Sequence, residues 1–346
     1  MSLLVFKVGV AQMLENIVEK SRIVKVSPDF IEVLGTDRFE DTNRLFGEKF
    51  ALYRKAWSEN PAKNIVADFP LHIDIETSNT CNLRCSMCQI PFGKMAQGYM
   101  SKELYKKILD EVKDNFLPSV KFNFRGEPLM HPEIVEYVRL AKEAGILEVQ
   151  FNSNGSLLTD ELSKGLIEAG LSRIKFSVDG VTPAVYNSIR RGTSYDVTIP
   201  KILRFIEIRN SLGKKLPSVQ VQMVYMSSNS QEAADYIKFW EDKANRIGFS
   251  RYRSNYNNIG ESANVAPLSG KRIPCPQLWQ RLVILWDGVV LMCCGDHQMR
   301  NPVGDVRTQT IAQIWKGEQM ERMRALHRQC KFDQIAACKD CQVNYL

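Results

Sequence analysis

Between residues 70 and about 256 the chain repeats one pattern. A short run rich in apolar residues is followed by a longer stretch with helical spacing. Leu71-His-Ile-Asp-Ile-Glu76 reads as a first strand, and further strands are predicted at 120–124, 148–152, 172–178, 219–226 and 249–254. Helices are predicted between them at 102–114, 131–144, 160–169, 183–190, 196–212 and 230–246. Several helix starts carry capping chemistry. Ser101 and Thr159 can accept from the free N–H groups of a first turn, and Thr182-Pro183 joins a cap to a proline at the first helical position. Six strands separated by helices predict an α/β fold with a parallel sheet. A doubly wound sheet and an open (β/α)6 barrel both satisfy that order.

The pattern weakens at both ends. Residues 23–26 and 30–34 can pair as a hairpin, and 46–57 reads as a helix whose first turn is weakened by Gly47. The first twenty residues are moderately apolar but interrupted by Lys7 and Glu15. They lack a basic start and a small-residue cleavage site, so they read as a helix, not a signal peptide, and a cytoplasmic protein is expected. After Gly270 come short strands at 282–285 and 289–292 and a helix at about 310–328. The expected organisation is an N-terminal extension at 1–69, a core at 70–265 and a smaller module at 266–346.

Composition narrows the classes. The chain has 346 residues, 44% hydrophobic and 25% charged, with no apolar run near membrane-spanning length. The net charge of +7 is scattered, without a basic stripe interleaved with aromatics, so no nucleic-acid partner is expected. An anionic small-molecule substrate would suit the charge. All nine cysteines fall in two zones, three at 81–88 and six at 275–341. A disulfide framework would not cluster this way in a long chain, and metal ligation accounts for both zones better.

The first zone, Cys81-Asn-Leu-Arg-Cys85-Ser-Met-Cys88, follows the first strand directly. Three close thiolates can hold a 4Fe–4S cluster with one iron open to a small molecule. A zinc knuckle would need a fourth ligand nearby, and Thr80 to Gly98 holds no further Cys or His. This C-x3-C-x2-C run resembles the signature of the radical S-adenosylmethionine (SAM) superfamily. The resemblance implies an open partial TIM-type barrel. It also implies SAM chelated at the open iron, reductive cleavage of the cofactor and hydrogen-atom abstraction from a substrate. An external one-electron donor such as flavodoxin or ferredoxin is implied as well.

The resemblance extends to the strand ends. Phe124-Arg-Gly-Glu-Pro128 stands where the family has a Gly-Gly-Glu-like motif, with Arg125 in place of the first glycine. It implies cofactor contacts at Gly126 and Glu127, at Asn154 after strand three, and at Ser177 and Asp179 after strand four. Arg190 would meet the cofactor carboxylate. Met87 replaces a residue that is often aromatic in the family, and its sulfur can still pack on a ring. Without the resemblance, Asn154-Gly155 and Asp179-Gly180 are ordinary turn formers.

The distal cysteines resemble the SPASM and twitch extensions of these enzymes, as do Trp286-Asp287-Gly288 and Ile314-Trp315. They imply one auxiliary 4Fe–4S cluster on Cys275, Cys293, Cys338 and Cys341. Cys294 adjoins one of these, so either of the pair can be the ligand. Cys294 is also the candidate catalytic residue, as a hydrogen-atom donor. His297 and His327 read as loop and surface histidines. The expected substrate is a carbohydrate, aminoglycoside or nucleotide sugar undergoing oxidation or epimerisation. The alternatives are maturation of a ribosomally made peptide or protein side chain, and a non-catalytic iron–sulfur or zinc protein.

Overall fold

The computed structural model describes residues 45–88, 95–252, 271–339 and 341, together with two strands near the N-terminus. The helix expected within the first twenty residues lies outside them. Six parallel strands follow one another in order: β3 (His72–Ile75), β4 (Ser119–Lys121), β5 (Glu148–Ser153), β6 (Arg173–Ser177), β7 (Ser218–Tyr225) and β8 (Arg246–Arg251). Each pairs in parallel with the next, which is the order of an open barrel and not of a doubly wound sheet.

Both free edges are occupied, so the sheet does not close. The N-terminal hairpin, β1 (Ile23–Ser27) and β2 (Phe30–Leu34), lies antiparallel on β8. At the other edge β9 (Arg281–Ile284) runs parallel to β3, and β10 (Val289–Leu291) and β11 (Pro302–Asp305) continue as an antiparallel meander. Pairing satisfies the backbone groups that an open edge would leave exposed.

The helices are α1 (Gly47–Lys63), α2 (Lys102–Asp114), α3 (Ile134–Glu143), α4 (Asp160–Glu168), α5 (Pro183–Ile189), α6 (Tyr195–Ser211), α7 (Ala233–Trp240), α8 (Ile311–Trp315) and α9 (Glu318–Arg328). Ser101, Thr159 and Thr182 cap α2, α4 and α5, each accepting from a backbone N–H of the first turn. The last barrel unit differs from its prediction. The helix ends at Trp240, and the strand begins at Arg246. Asn245 explains the shift: its N–H donates to Val219 O at 2.9 Å, and its Oδ1 accepts from Val219 N at 2.8 Å. That clamp starts the strand three residues early. The helix predicted at 310–328 breaks in two at Gly317.

The strands sort their side chains by period two. Val149, Phe151, Ile174, Phe176, Val219, Val221 and Met223 are buried in the main core, packed with helix residues such as Tyr137, Leu166 and Phe205. The alternate positions are polar and face inward. His72 Nδ1 meets Ser119 Oγ at 2.9 Å, Ser119 Oγ donates to Glu148 Oε2 at 2.9 Å, and Glu148 accepts from Arg173. The apolar core is therefore outside the barrel, and its interior is a polar lumen.

Candidate active site

The mouth of the barrel opens on a cavity of about 410 Å³. Cys81, Cys85 and Cys88 line it, on the loop that leaves β3. Two backbone bonds hold that loop to the C-terminal end of α5 and the turn that follows it: Ser86 N to Ile189 O at 3.0 Å, and Arg84 N to Arg191 O at 2.8 Å. All three thiols are free. Burial pushes the Cys81 thiol up to about 12, so without a metal it keeps its proton. A bound metal would take the thiolate and release that proton.

Gly126 has φ +73°, and a Cβ there would stand 2.5 Å from the carbonyl oxygens of Ser78 and Thr80. Glycine is required for this close approach, which brings Glu127 N within 2.7 Å of Thr80 O. The Glu127 carboxylate is already engaged. It accepts from Leu129 N at 3.1 Å, Ser153 Oγ at 2.7 Å and Asn154 N at 2.7 Å. Glu127 thus ties the cysteine loop to the turn after β5. Asn154 joins the same seam through Asn82 at 3.0 Å and Ser156.

Met87, Ser177 and Arg190 also line the cavity, and Met87 packs on Ile189 and Met226. Asp179 does not line it. Fully buried behind Arg190, it accepts from Arg190 Nε and Nη2, each at 2.5 Å, and from Val224 N at 2.7 Å. Burial raises the Asp179 carboxyl against the pull of Arg190. Arg190 also points Nη1 at Cys85 Sγ, 3.7 Å away. Arg125 lines the cavity as well and forms a bidentate buried pair with Glu76, at 2.7 and 2.8 Å. Glu76 Oε2 in turn accepts from Trp286 N at 3.4 Å, which joins the barrel to the C-terminal module.

A second pole of the cavity is charged, and no motif marks it in the sequence. Asp74, Lys121 and Arg281 stand there beside Cys294. Arg281 Nη1 reaches Asp74 Oδ2 at 3.2 Å and lies 3.9 Å from Cys294 Sγ, while the Cys294 thiol donates to Gln277 Oε1 at 3.1 Å. Burial opposes the charge on Asp74, but Arg281 and His72 hold its carboxyl well below the usual range. The Cys293 thiol, then Arg281 and Lys121, pull the Cys294 thiol down to about 6. With Cys293 bound to iron, its proton is gone and the first of these effects with it. The Lys121 side chain has no hydrogen bond or ion pair among the described residues and acts on Asp74 and Cys294 only through its charge, whereas each arginine of the cavity wall has a carboxylate partner. The alternation of Leu71-His-Ile-Asp-Ile-Glu76 carried the signal for this pole, because an acidic residue inside a strand needs a polar lumen.

The remaining thiols stand apart from the cavity. Cys275, Cys293, Cys338 and Cys341 are absent from its wall. Cys275 is within electrostatic reach of both Cys293 and Cys338, and Cys338 of Cys341. The adjacent pair Cys293 and Cys294 therefore divides, one toward the distal thiols and one into the cavity. Cys330 is exposed in a left-handed turn after α9. Two histidines depart from their expected places. His297 lines the cavity against Phe124, with ring centroids 5.2 Å apart, and His327 is buried with 1% exposure.

Comparison with known proteins agrees with this geometry. Residues 75–239 match the model of the radical SAM superfamily, and residues 275–342 match that of the SPASM iron–sulfur cluster-binding domain. A tungsten-containing aldehyde ferredoxin oxidoreductase cofactor-modifying protein of Pyrococcus furiosus is 26% identical over 315 residues, 79% of this chain and 87% of that protein. The solved structure of Streptococcus suis SuiB bound to S-adenosylmethionine superposes with a TM-score of 0.62 at 17% identity, covering 85% of this chain and 77% of that one. SuiB has also been solved bound to the precursor peptide SuiA. BtrN in complex with AdoMet and 2-DOIA superposes with a TM-score of 0.52 at 17% identity, covering 78% and 92%.

Proposed function

We propose a finer role for this chain, which belongs to the radical S-adenosylmethionine superfamily and carries a SPASM-type domain: it modifies a side chain of a peptide or protein. Its cofactors are a SAM-binding 4Fe–4S cluster, SAM itself and an auxiliary cluster. The observation that carries the reading is the size of the cavity. Single drug-sized ligands occupy pockets of roughly 300–1,000 Å³. At about 410 Å³, the cavity lined by the described residues is near the lower end of that range, so a bound cofactor would take up much of it. A substrate that reacts there enters as one projecting group, with its bulk outside the mouth. The likeness to SuiB, which binds a precursor peptide, supports the same reading.

When bound, the cluster and SAM supply a one-electron reductive cleavage that lets the site remove a hydrogen atom from carbon. Cys81, Cys85 and Cys88 hold the cluster, and the loop's bonds to Ile189 and Arg191 fix them. Gly126 lets the backbone approach, and Glu127, Ser153 and Asn154 keep that backbone in place. Ser177 offers a hydroxyl on the wall, Met87 an apolar contact, and Arg190, oriented by Asp179, a positive charge beside Cys85. At the far pole Lys121 takes an anionic group of the substrate. Cys275, Cys293, Cys338 and Cys341 hold the auxiliary cluster.

Cys294 serves as the hydrogen-atom donor at the far pole. Its S–H bond breaks as a C–H bond forms on the substrate carbon. The sulfur is then one electron and one proton short, and the external reductant and solvent restore both. Gln277, as acceptor, keeps that proton on sulfur. Cys294→Ala should preserve cofactor cleavage while stopping return of hydrogen to the substrate.

The test compares substrate-stimulated 5′-deoxyadenosine formation. Reconstituted, reduced enzyme is given SAM with a pool of short peptides covering all side chains, or with a panel of nucleotide sugars and aminoglycosides. Stimulation by peptides and a mass change in one of them are expected. Stimulation by the sugars alone would overturn the reading and restore the carbohydrate assignment.

A further inference from the structure

His327 lies among the distal thiols with both ring nitrogens engaged. Its Nδ1 is 3.1 Å from the backbone nitrogen of Cys275. That nitrogen carries a proton, so Nδ1 is the acceptor and the imidazole proton resides on Nε2. Nε2 is 3.4 Å from Cys338 Sγ. The ring is 1% exposed and packs edge-on against Phe332, with centroids 5.0 Å apart. Its orientation is therefore fixed from both sides, and its one N–H can go only to the sulfur of Cys338.

From this geometry we infer that His327 is a positioning residue of the auxiliary cluster, donating Nε2–H to the Cys338 thiolate and raising the reduction potential. A hydrogen bond to a ligating sulfur draws charge from it and favours the more reduced cluster, the more so where solvent is excluded. The same ring holds Cys275 by its backbone. His327 thus joins two ligands that are far apart in sequence, one before β9 and one after α9. The inference rests on the assignment of Cys275, Cys293, Cys338 and Cys341 as ligands.

The experiment uses the full chain with Cys81, Cys85 and Cys88 all changed to alanine, so that only the auxiliary cluster remains. Iron and sulfide analysis comes first. Absence of a 4Fe–4S cluster in this variant overturns the ligand assignment, and the inference with it. With the cluster present, an EPR-monitored redox titration compares His327 with His327→Ala and His327→Gln. The alanine variant is expected to lower the equilibrium constant for reduction about tenfold, or about 59 mV for one electron. Glutamine offers both an acceptor and a donor and should fall between the two. An unchanged midpoint in His327→Ala at full cluster content overturns the inference. Should the variants fail to assemble, ¹⁵N-histidine labelling of the unsubstituted His327 protein decides. A weak nitrogen coupling to the reduced cluster is expected, and its absence overturns the proposal.

Discussion

The molecule holds two sets of free thiols that differ in whether they face the cavity. Cys81, Cys85 and Cys88 lie on one loop and face a cavity of about 410 Å³. Cys275, Cys293, Cys338 and Cys341 come from three separate places in the C-terminal module, and none faces that cavity. A set of three leaves an iron available for chemistry, and it sits where a molecule can enter. A set of four would close a cluster, and one of its members, Cys338, is buried. Ligand count and access agree in each region.

The largest effect should separate the two sets outright. Replacing Cys81, Cys85 or Cys88 with alanine should reduce SAM cleavage to background. Cys275→Ala or Cys338→Ala should leave it within about tenfold, or about 1.4 kcal/mol of barrier. Chromatography of 5′-deoxyadenosine beside iron analysis measures both. Equal loss of cleavage in a distal variant that keeps its first cluster would break the comparison.

A smaller effect should come from the cavity's far pole. Asp74→Asn removes the charge partner of the half-buried Arg281 and should destabilise the fold by about 1.5–3 kcal/mol in denaturant titration. The sign of its pH dependence follows from the depressed carboxyl. Its stabilisation is present above the unfolded value near 4 and is lost as pH falls below it. The wild-type protein should lose stability in acid through this group, and the variant should show a shallower acid limb.

Gly126→Ala places a side chain at φ +73° against two carbonyl oxygens. It should cost about 1–3 kcal/mol and should weaken SAM binding while leaving the distal cluster's iron intact. Normal SAM affinity by calorimetry would remove Gly126 from the site. The smallest effect is expected from Lys121→Met. It should raise KM for an anionic substrate about tenfold, near 1.4 kcal/mol, with kcat little changed and with Lys121→Arg close to wild type. A loss confined to kcat would move Lys121 from substrate anchoring to the chemistry itself.

Much of this was legible in the chain. The six strand–helix units, the three caps and the two cysteine zones are local features. What escaped were contacts between residues distant in sequence. Asp74, Lys121 and Arg281 lie on three different strands, and their meeting depends on β9 pairing with β3. Glu127 and Asp179 read as cofactor contacts through the family resemblance of their strand-end motifs. In the folded chain their carboxylates are taken by Ser153, Asn154, Arg190 and Val224. His327 carries charged and polar neighbours on its helix and reads as a surface residue, but it is buried among the distal thiols.

By itself, the sequence determined the order of elements, the helix caps and the three-cysteine loop. Periodicity, capping and ligand spacing act over a few residues, so no tertiary information is needed to see them. Only the tertiary structure decided which strands occupy the barrel's free edges, that Cys293 and Cys294 part company, and that a second group of charged residues shares the cavity with the cysteine triad. Those outcomes depend on which strand occupies each free edge and on which groups burial forces to find partners. Such choices are settled by packing across the whole chain.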